Sequence, residues 1–283
     1  MVWDGENLCQ YLMSPKTVPD RYIRDYKDRP IIDKQSPDAS EIPVIDFSLL
    51  SKRDKDEIKK LDFACTEWGF FQLVNHGVAE ELIYKMKESG KGFFDLPYEE
   101  KKKYAMAEND LQGHGQGLVV SEEQKLDWSD RILLVAYPPE QRKLKFWPVS
   151  VPGFNPHSDG GTITLLVQDD DLAGLQIKHK GRWIPVKPIP GAFVVNLGDT
   201  MEFWSNGAYK SIEHRAVTNA TKARISIAIF VMPDEQAEIG PVETMVRDQP
   251  VLYKRFKYID YLRRYFDKEL DGKNTGIVKL EGQ

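Results

Sequence analysis

The chain has 283 residues, 41% apolar and 11% aromatic, which is enough for a packed core in one large domain or two small ones. A formal net charge of −5 argues against a nucleic-acid binder, which carries a basic domain or stripe. Two cysteines, Cys9 and Cys65, make no disulfide framework, and the chain shows neither a secretory leader nor eighteen consecutive apolar residues; a soluble cytoplasmic protein is expected. Residues 1–40 are polar and irregular, and the first strand signal is Ile42-Pro43-Val44-Ile45-Asp46.

Over residues 54–68, Ile58, Leu61, Phe63, Ala64 and Cys65 fall mainly on one side, predicting a helix that Gly69 can end. Residues 70–74, Phe-Phe-Gln-Leu-Val, read as a strand closed by Asn75-His76-Gly77. Helical spacing returns over 79–94 through Leu82, Ile83, Met86, Phe93 and Phe94. Pro97 opens a short helix with Glu99 and Glu100 in its first turn and lysines at its end, as the helix dipole favours. The glycine-rich run 113–117 is not followed by Lys-Ser/Thr, so it is not a phosphate loop. Residues 131–137 read as a strand stopped by Pro138-Pro139.

From residue 157 short β-rich runs follow one another: 162–167, 174–177, 183–186, 192–196, 212–217 and 224–231. Even spacing of that kind predicts a sandwich or barrel. Residues 246–270 read as helical, with Tyr253, Phe256, Tyr258, Tyr261 and Leu262 as apolar anchors.

Chemistry concentrates in the β-rich half. In His157-Ser158-Asp159, alternation along a strand aims His157 and Asp159 at one point and turns Ser158 away. His214, 55 positions after Asp159, supplies a third donor. Two histidines and a carboxylate leave half an octahedron open, which suits non-haem iron(II) and oxygen chemistry. By itself His-x-Asp is common by chance, and a zinc hydrolase could use the same three ligands. Arg224-Ile225-Ser226 adds what a hydrolase does not need. Arg224 lies ten positions after His214, and pairing of their strands would bring a guanidinium near the metal. The planar fork can hold a carboxylate bidentately, with the Ser226 hydroxyl beside it.

Several longer stretches carry a resemblance. They include Glu67-Trp68-Gly69-Phe70-Phe71-Gln72-Leu73-Val74-Asn75-His76-Gly77, Asn155-Pro156-His157-Ser158-Asp159 and Gly174-Leu175-Gln176-Ile177. Further ones are Ala192-Phe193-Val194-Val195-Asn196-Leu197-Gly198-Asp199 and Ser205-Asn206-Gly207-Ala208-Tyr209-Lys210-Ser211-Ile212-Glu213-His214-Arg215-Ala216. The chain resembles the plant iron(II)- and 2-oxoglutarate-dependent dioxygenases. Gln124-Lys125-Leu126-Asp127-Trp128 and Phe146-Trp147-Pro148 resemble most the subgroup of alkaloid O-demethylases and norcoclaurine-synthase-like proteins.

The resemblance implies a mixed α/β architecture: a double-stranded β-helix (jelly roll) with an N-terminal helical region and a C-terminal helix. It implies a division into 1–154, 155–240 (the jelly-roll core) and 241–283. His157, Asp159 and His214 become the metal ligands, and Arg224 and Ser226 the 2-oxoglutarate contacts. Iron(II), 2-oxoglutarate and dioxygen are the implied cofactors, with ascorbate as an accessory reductant. The implied partner is a small plant metabolite, such as an alkaloid or flavonoid, that is hydroxylated, desaturated or O-demethylated with release of succinate and CO2 by a monomer with no nucleic-acid or membrane partner. His76 receives no ligand role.

One departure stands out. The family places several tens of residues, including a core strand with Asn-x-Tyr-Pro-Pro, between the Phe-Trp-Pro region and the His-x-Asp motif. Here Pro148 and His157 are nine positions apart. The jelly roll is therefore expected to be incomplete, with uncovered strand edges. A second reading stays open at this point: an impaired, shortened isoform or paralogue that retains at most metal binding.

Overall fold

The structure is a computed structural model that describes residues 20–23, 41–107, 110, 112–115, 125, 129–146, 158–217, 222–246, 249–266, 273 and 275–280. The chain divides into two compact units. One holds Met1–Ile31, Glu81–Phe154 and Ile225–Ile227; the other holds Ile32–Glu80, Asn155–Arg224 and Ala228–Gln283.

In the second unit, β1 (Val44–Asp46) runs into helix α1 (Phe47–Ser51), capped by the Asp46 carboxylate, which accepts from the Ser48 and Leu49 amides. Helix α2 (Lys55–Phe63) is capped in the same way by Asp54. The expected 54–68 helix is thus shorter: its last turn, Ala64–Trp68, widens into a π-turn that Gly69 ends in a left-handed conformation. Strand β2 (Phe70–Val74) follows.

The β-rich half supplies β5 (Ile163–Gln168), β6 (Leu175–His179), β7 (Arg182–Pro185), β8 (Phe193–Leu197), β9 (His214–Ala216) and β10 (Ser226–Val231). They form two sheets, of order β1-β2-β8-β5-β10 and β7-β6-β9. Register in the larger sheet sets Phe70 opposite Asn196 and Asn196 opposite Thr164. Since side chains alternate, Phe70, Asn196 and Thr164 share a face. Phe70 and Val194 from this sheet pack with Leu175, Ile177 and Ile184 from the other, which is the core of a jelly roll. All these side chains are within 5% of full burial; at about 25 cal/mol per Å² each contributes on the order of 2 kcal/mol.

β10 ends the larger sheet among the described residues, and Ile229, Phe230 and Val231 along it, with Met232 just after it, are exposed. The shortened segment before His157 lies outside the described residues, as does His157 itself.

The C-terminal stretch corrects the expected 246–270 helix. It holds the short α6 (Glu243–Val246), which follows α5 (Asp199–Trp204) in the chain, then β12 (Phe256–Lys257) paired to β11 (Glu238–Ile239), and α7 (Tyr258–Phe266). Tyr253 and Phe256 pack around buried Phe203, as the apolar anchors that the sequence predicts. The helix was over-extended because an aromatic-rich stretch satisfies both periods; Phe256 instead extends the small ladder.

In the first unit, α3 (Glu80–Phe94) and α4 (Tyr98–Lys102) match the expected helices closely. Strands β3 (Gly113–His114) and β4 (Ile132–Leu133) pair antiparallel. The strand expected over 131–137 is therefore cut to two residues, since beyond Leu133 it finds no partner ladder among the described residues. Lys101 and His114 both reach Asp130, at 2.9 and 2.6 Å. Among the described residues no helix is long and apolar enough to cross a membrane.

Candidate metal centre

Asp159 lies just ahead of β5, not inside a strand as the alternation argument assumed. Its side chain is 3% exposed, and Oδ2 accepts 2.7 Å from Asn196 Nδ2 and also from the Thr164 hydroxyl. Those two donors are register partners on neighbouring strands, so the β5–β8 ladder aims both at one oxygen. Oδ1 points to His214, whose Nε2 is 3.9 Å away. His214 opens β9, and its Nδ1 lies 3.2 Å from the Ile212 carbonyl. With the proton on Nδ1 donated to that carbonyl, Nε2 keeps its lone pair toward Asp159.

The donor set suits a divalent ion. Metal bonds to carboxylate oxygen and imidazole nitrogen are each about 2.1 Å, so one ion can touch both groups across 3.9 Å. Ser158 lies outside any strand, is fully buried, and donates to Asp199 Oδ2.

Arg224 and His214 are not on paired strands. β9 pairs with β6 in the smaller sheet, whereas β10, which follows Arg224, belongs to the larger one. The expectation of neighbouring strands is corrected on that point. Arg224 comes close by another route: its side chain lies against Gly174, where a Cβ would stand 2.6 Å from Arg224 Cδ. Gly174 leads into β6, whose Ile177 is the register partner of His214. The Gln168 amide oxygen accepts 3.0 Å from Arg224 Nη2. Burial pulls the guanidinium below its usual range, and Asp169 opposes that shift. A planar, buried cation of this kind has a strong claim on a carboxylate. Ser226, two residues on, is buried at the start of β10.

Thr164, Leu166 and Gln168 share one face of β5. That face holds Asp159 at one end and Arg224 at the other. Thr164, Asn196, Gln168 and Gly174 were not singled out from the sequence. The available signal was a polar residue inside each apolar run, Ile163-Thr164-Leu165-Leu166-Val167-Gln168 and Val194-Val195-Asn196-Leu197. His76 packs against Phe193, and its Nε2 bonds the Gly191 carbonyl at 2.7 Å, away from this site.

Two family models match: the N-terminal region of the non-haem dioxygenase in morphine synthesis over residues 42–152, and the 2OG-Fe(II) oxygenase superfamily over residues 129–233. S-norcoclaurine synthase 1 of Coptis japonica is 40% identical over 324 positions, covering 92% of this chain and 91% of that protein. The chain belongs to the plant iron(II)- and 2-oxoglutarate-dependent dioxygenases. Codeine O-demethylase of Papaver somniferum is 36% identical, covering 84% of each. The crystal structure of JOX2 in complex with 2OG, Fe and JA aligns with a TM-score of 0.84 at 29% identity, over 96% of this chain and 97% of that one.

The dioxygenase thus uses iron(II), 2-oxoglutarate and dioxygen. Its alignment with the Coptis protein also shows a difference in length. Of this chain's 283 residues 92% is about 260, so of 324 aligned positions about sixty face no residue of this chain. The reading as an impaired relic is not favoured by these matches, which span the metal-site half and the N-terminal half alike.

Proposed function

We propose that His157, Asp159 and His214 hold the catalytic iron(II) and that Arg224 and Ser226 receive the distal carboxylate of 2-oxoglutarate. The observation that carries this reading is the 3.9 Å approach of His214 Nε2 to Asp159 Oδ1, with the other Asp159 oxygen already tied down. His157 is assigned from the motif alone. When bound, iron(II) supplies oxidation of a substrate C–H bond by dioxygen, coupled to conversion of 2-oxoglutarate to succinate and CO2.

The residues of this chain have narrower tasks. Thr164 and Asn196 hold Asp159 in one rotamer, and the Ile212 carbonyl sets the His214 tautomer. Gln168 and Gly174 fix where the Arg224 fork points. The substrate is a small plant metabolite of the alkaloid or flavonoid kind, oxidised by hydroxylation, desaturation or O-demethylation. Support comes from relatives named S-norcoclaurine synthase, codeine O-demethylase and flavonoid 7-O-demethylase. The enzyme acts as a cytoplasmic monomer without nucleic-acid or membrane partners, with ascorbate as accessory reductant. Residues 155–240 carry the site, and 1–154 and 241–283 support it.

The test is succinate release from 2-oxoglutarate in the presence of a panel of alkaloids and flavonoids. Release that needs iron(II) and is lost by at least a hundredfold in Asp159→Ala is expected. Release that survives in Asp159→Ala, or none from the folded wild type with any panel member, overturns the assignment.

A further inference from the structure

We infer that Asp199 is a positioning residue for the metal centre, joining the two ligand-bearing segments through one carboxylate and locking them to α7. The inference rests on the metal reading above. Asp199 begins α5 and is fully buried. Its Oδ2 accepts from Ser158 Oγ at 3.1 Å, and Ser158 is the residue between His157 and Asp159. Its Oδ1 accepts from Ser211 Oγ at 2.6 Å, and Ser211 lies three residues before His214. One short, rigid side chain therefore spans both sources of ligands.

The backbone reinforces the same joint. The Asp199 amide donates to the Asp159 carbonyl at 2.7 Å, and the Gly198 and Thr200 amides donate to Thr162 and Gly161. This approach needs glycine at 198: a Cβ there would stand 2.3 Å from the Gly161 carbonyl oxygen and 2.7 Å from that of Asp159.

Helix α7 closes the arrangement from outside. Tyr258, Tyr261 and Tyr265 recur at helical spacing on one buried face. Tyr261 donates to Asp199 Oδ2 at 2.6 Å, Tyr265 to the Ser158 carbonyl at 2.8 Å, and Tyr258 to the Gly160 carbonyl at 3.2 Å. Every hydroxyl on that face ends on residues 158–160 or on Asp199. A helix held to the core by apolar packing alone would use phenylalanine here. Two of these phenols reach the ligand segment and the third reaches the carboxylate that ties it down, and together they fix its position, because each bond is directional and shielded from water.

The consequence is measurable apart from turnover. Partners that orient metal ligands alter metal affinity by about 10–100-fold when removed. Wild type, Asp199→Asn, Ser211→Ala and Tyr261→Phe are titrated anaerobically with iron(II) at saturating 2-oxoglutarate, following the visible charge-transfer band. Metal-free unfolding is measured in parallel. Asp199→Asn is expected to weaken iron(II) binding at least tenfold and to move the band, while its far-ultraviolet circular dichroism stays that of wild type. Tyr261→Phe and Ser211→Ala are expected to weaken it several-fold, and they carry the test if Asp199→Asn does not fold. Folded variants that all bind iron(II) as tightly as wild type, with an unmoved band, overturn the inference. Absence of the band in folded wild type overturns the metal reading itself, and this inference with it.

Discussion

Asp130 in the first unit and Asp199 in the second are both buried carboxylates, yet their environments drive them in opposite directions. Burial pushes each one up. At Asp130 the His114 and Lys101 side chains outweigh burial and hold the carboxyl below its usual range. At Asp199 the donors are the Ser211, Tyr261 and Ser158 hydroxyls, with no cation among the described residues, and burial wins: the carboxyl is pushed up to about 6. A hydroxyl stabilises the charged form less than an ammonium does, because it brings a dipole rather than a charge. The difference separates two uses of a buried acid. Asp130 faces Lys101 and ties α4 to β3 through Lys101 and His114; Asp199 collects hydroxyls from three segments.

The largest effect should come from breaking the ion cluster. Asp130→Ala leaves Lys101, whose side chain is 7% exposed, without its carboxylate, and is expected to cost about 3–5 kcal/mol in urea unfolding. Asp199→Asn leaves no buried cation behind, so its metal-free cost should stay under about 2 kcal/mol, the scale of altered neutral hydrogen bonds. Equal costs would erase the distinction drawn between the two acids.

A third buried charge, Arg224, extends the comparison to a cation that donates to the Gln168 amide oxygen and lies against Gly174. Gly174→Ala drives a methyl to within 2.6 Å of Arg224 Cδ. The KM for 2-oxoglutarate should rise about tenfold, equivalent to about 1.4 kcal/mol, with little change in kcat. An unchanged KM would mean that the seat of Arg224 does not depend on Gly174. At the small end, the Glu81–Lys85 pair on α3 is exposed on both sides. Lys85→Ala should shift stability by less than about 0.5 kcal/mol, and a larger loss would show that exposure is a poor guide to the worth of a charge in this unit.

Much of the architecture was legible in the sequence. The six β-rich runs after residue 157 all contain strands, and α3 and α4 lie where apolar spacing and charge placed them. Misreadings came where local signals were ambiguous. Residues 131–137 have strand composition but a ladder of only two residues, and strand composition cannot create a missing partner. α5 went unseen because six residues, Asp199–Trp204, are too few to display a helical period. Of the proposed site, His157, Asp159, His214, Arg224 and Ser226 stood out by type and spacing. Thr164, Asn196, Gln168 and Asp199 did not, since a single polar residue in an apolar run says only that something must satisfy it.

By itself the sequence determined the family, the β-rich second half and which residues alternate within its strands. These depend on local composition and on a two-residue period, which are readable along the chain. Only the tertiary structure decided which strands pair. It placed His214 and Ser226 in strands of different sheets, brought Arg224 in against Gly174, and made Thr164 and Asn196 converge on one oxygen. It alone joined Ser158, Ser211 and Tyr261 at Asp199, across separations of 41, 12 and 62 residues. Contacts over such distances are set by which faces the core buries together, and a periodic pattern names the face without naming its partner.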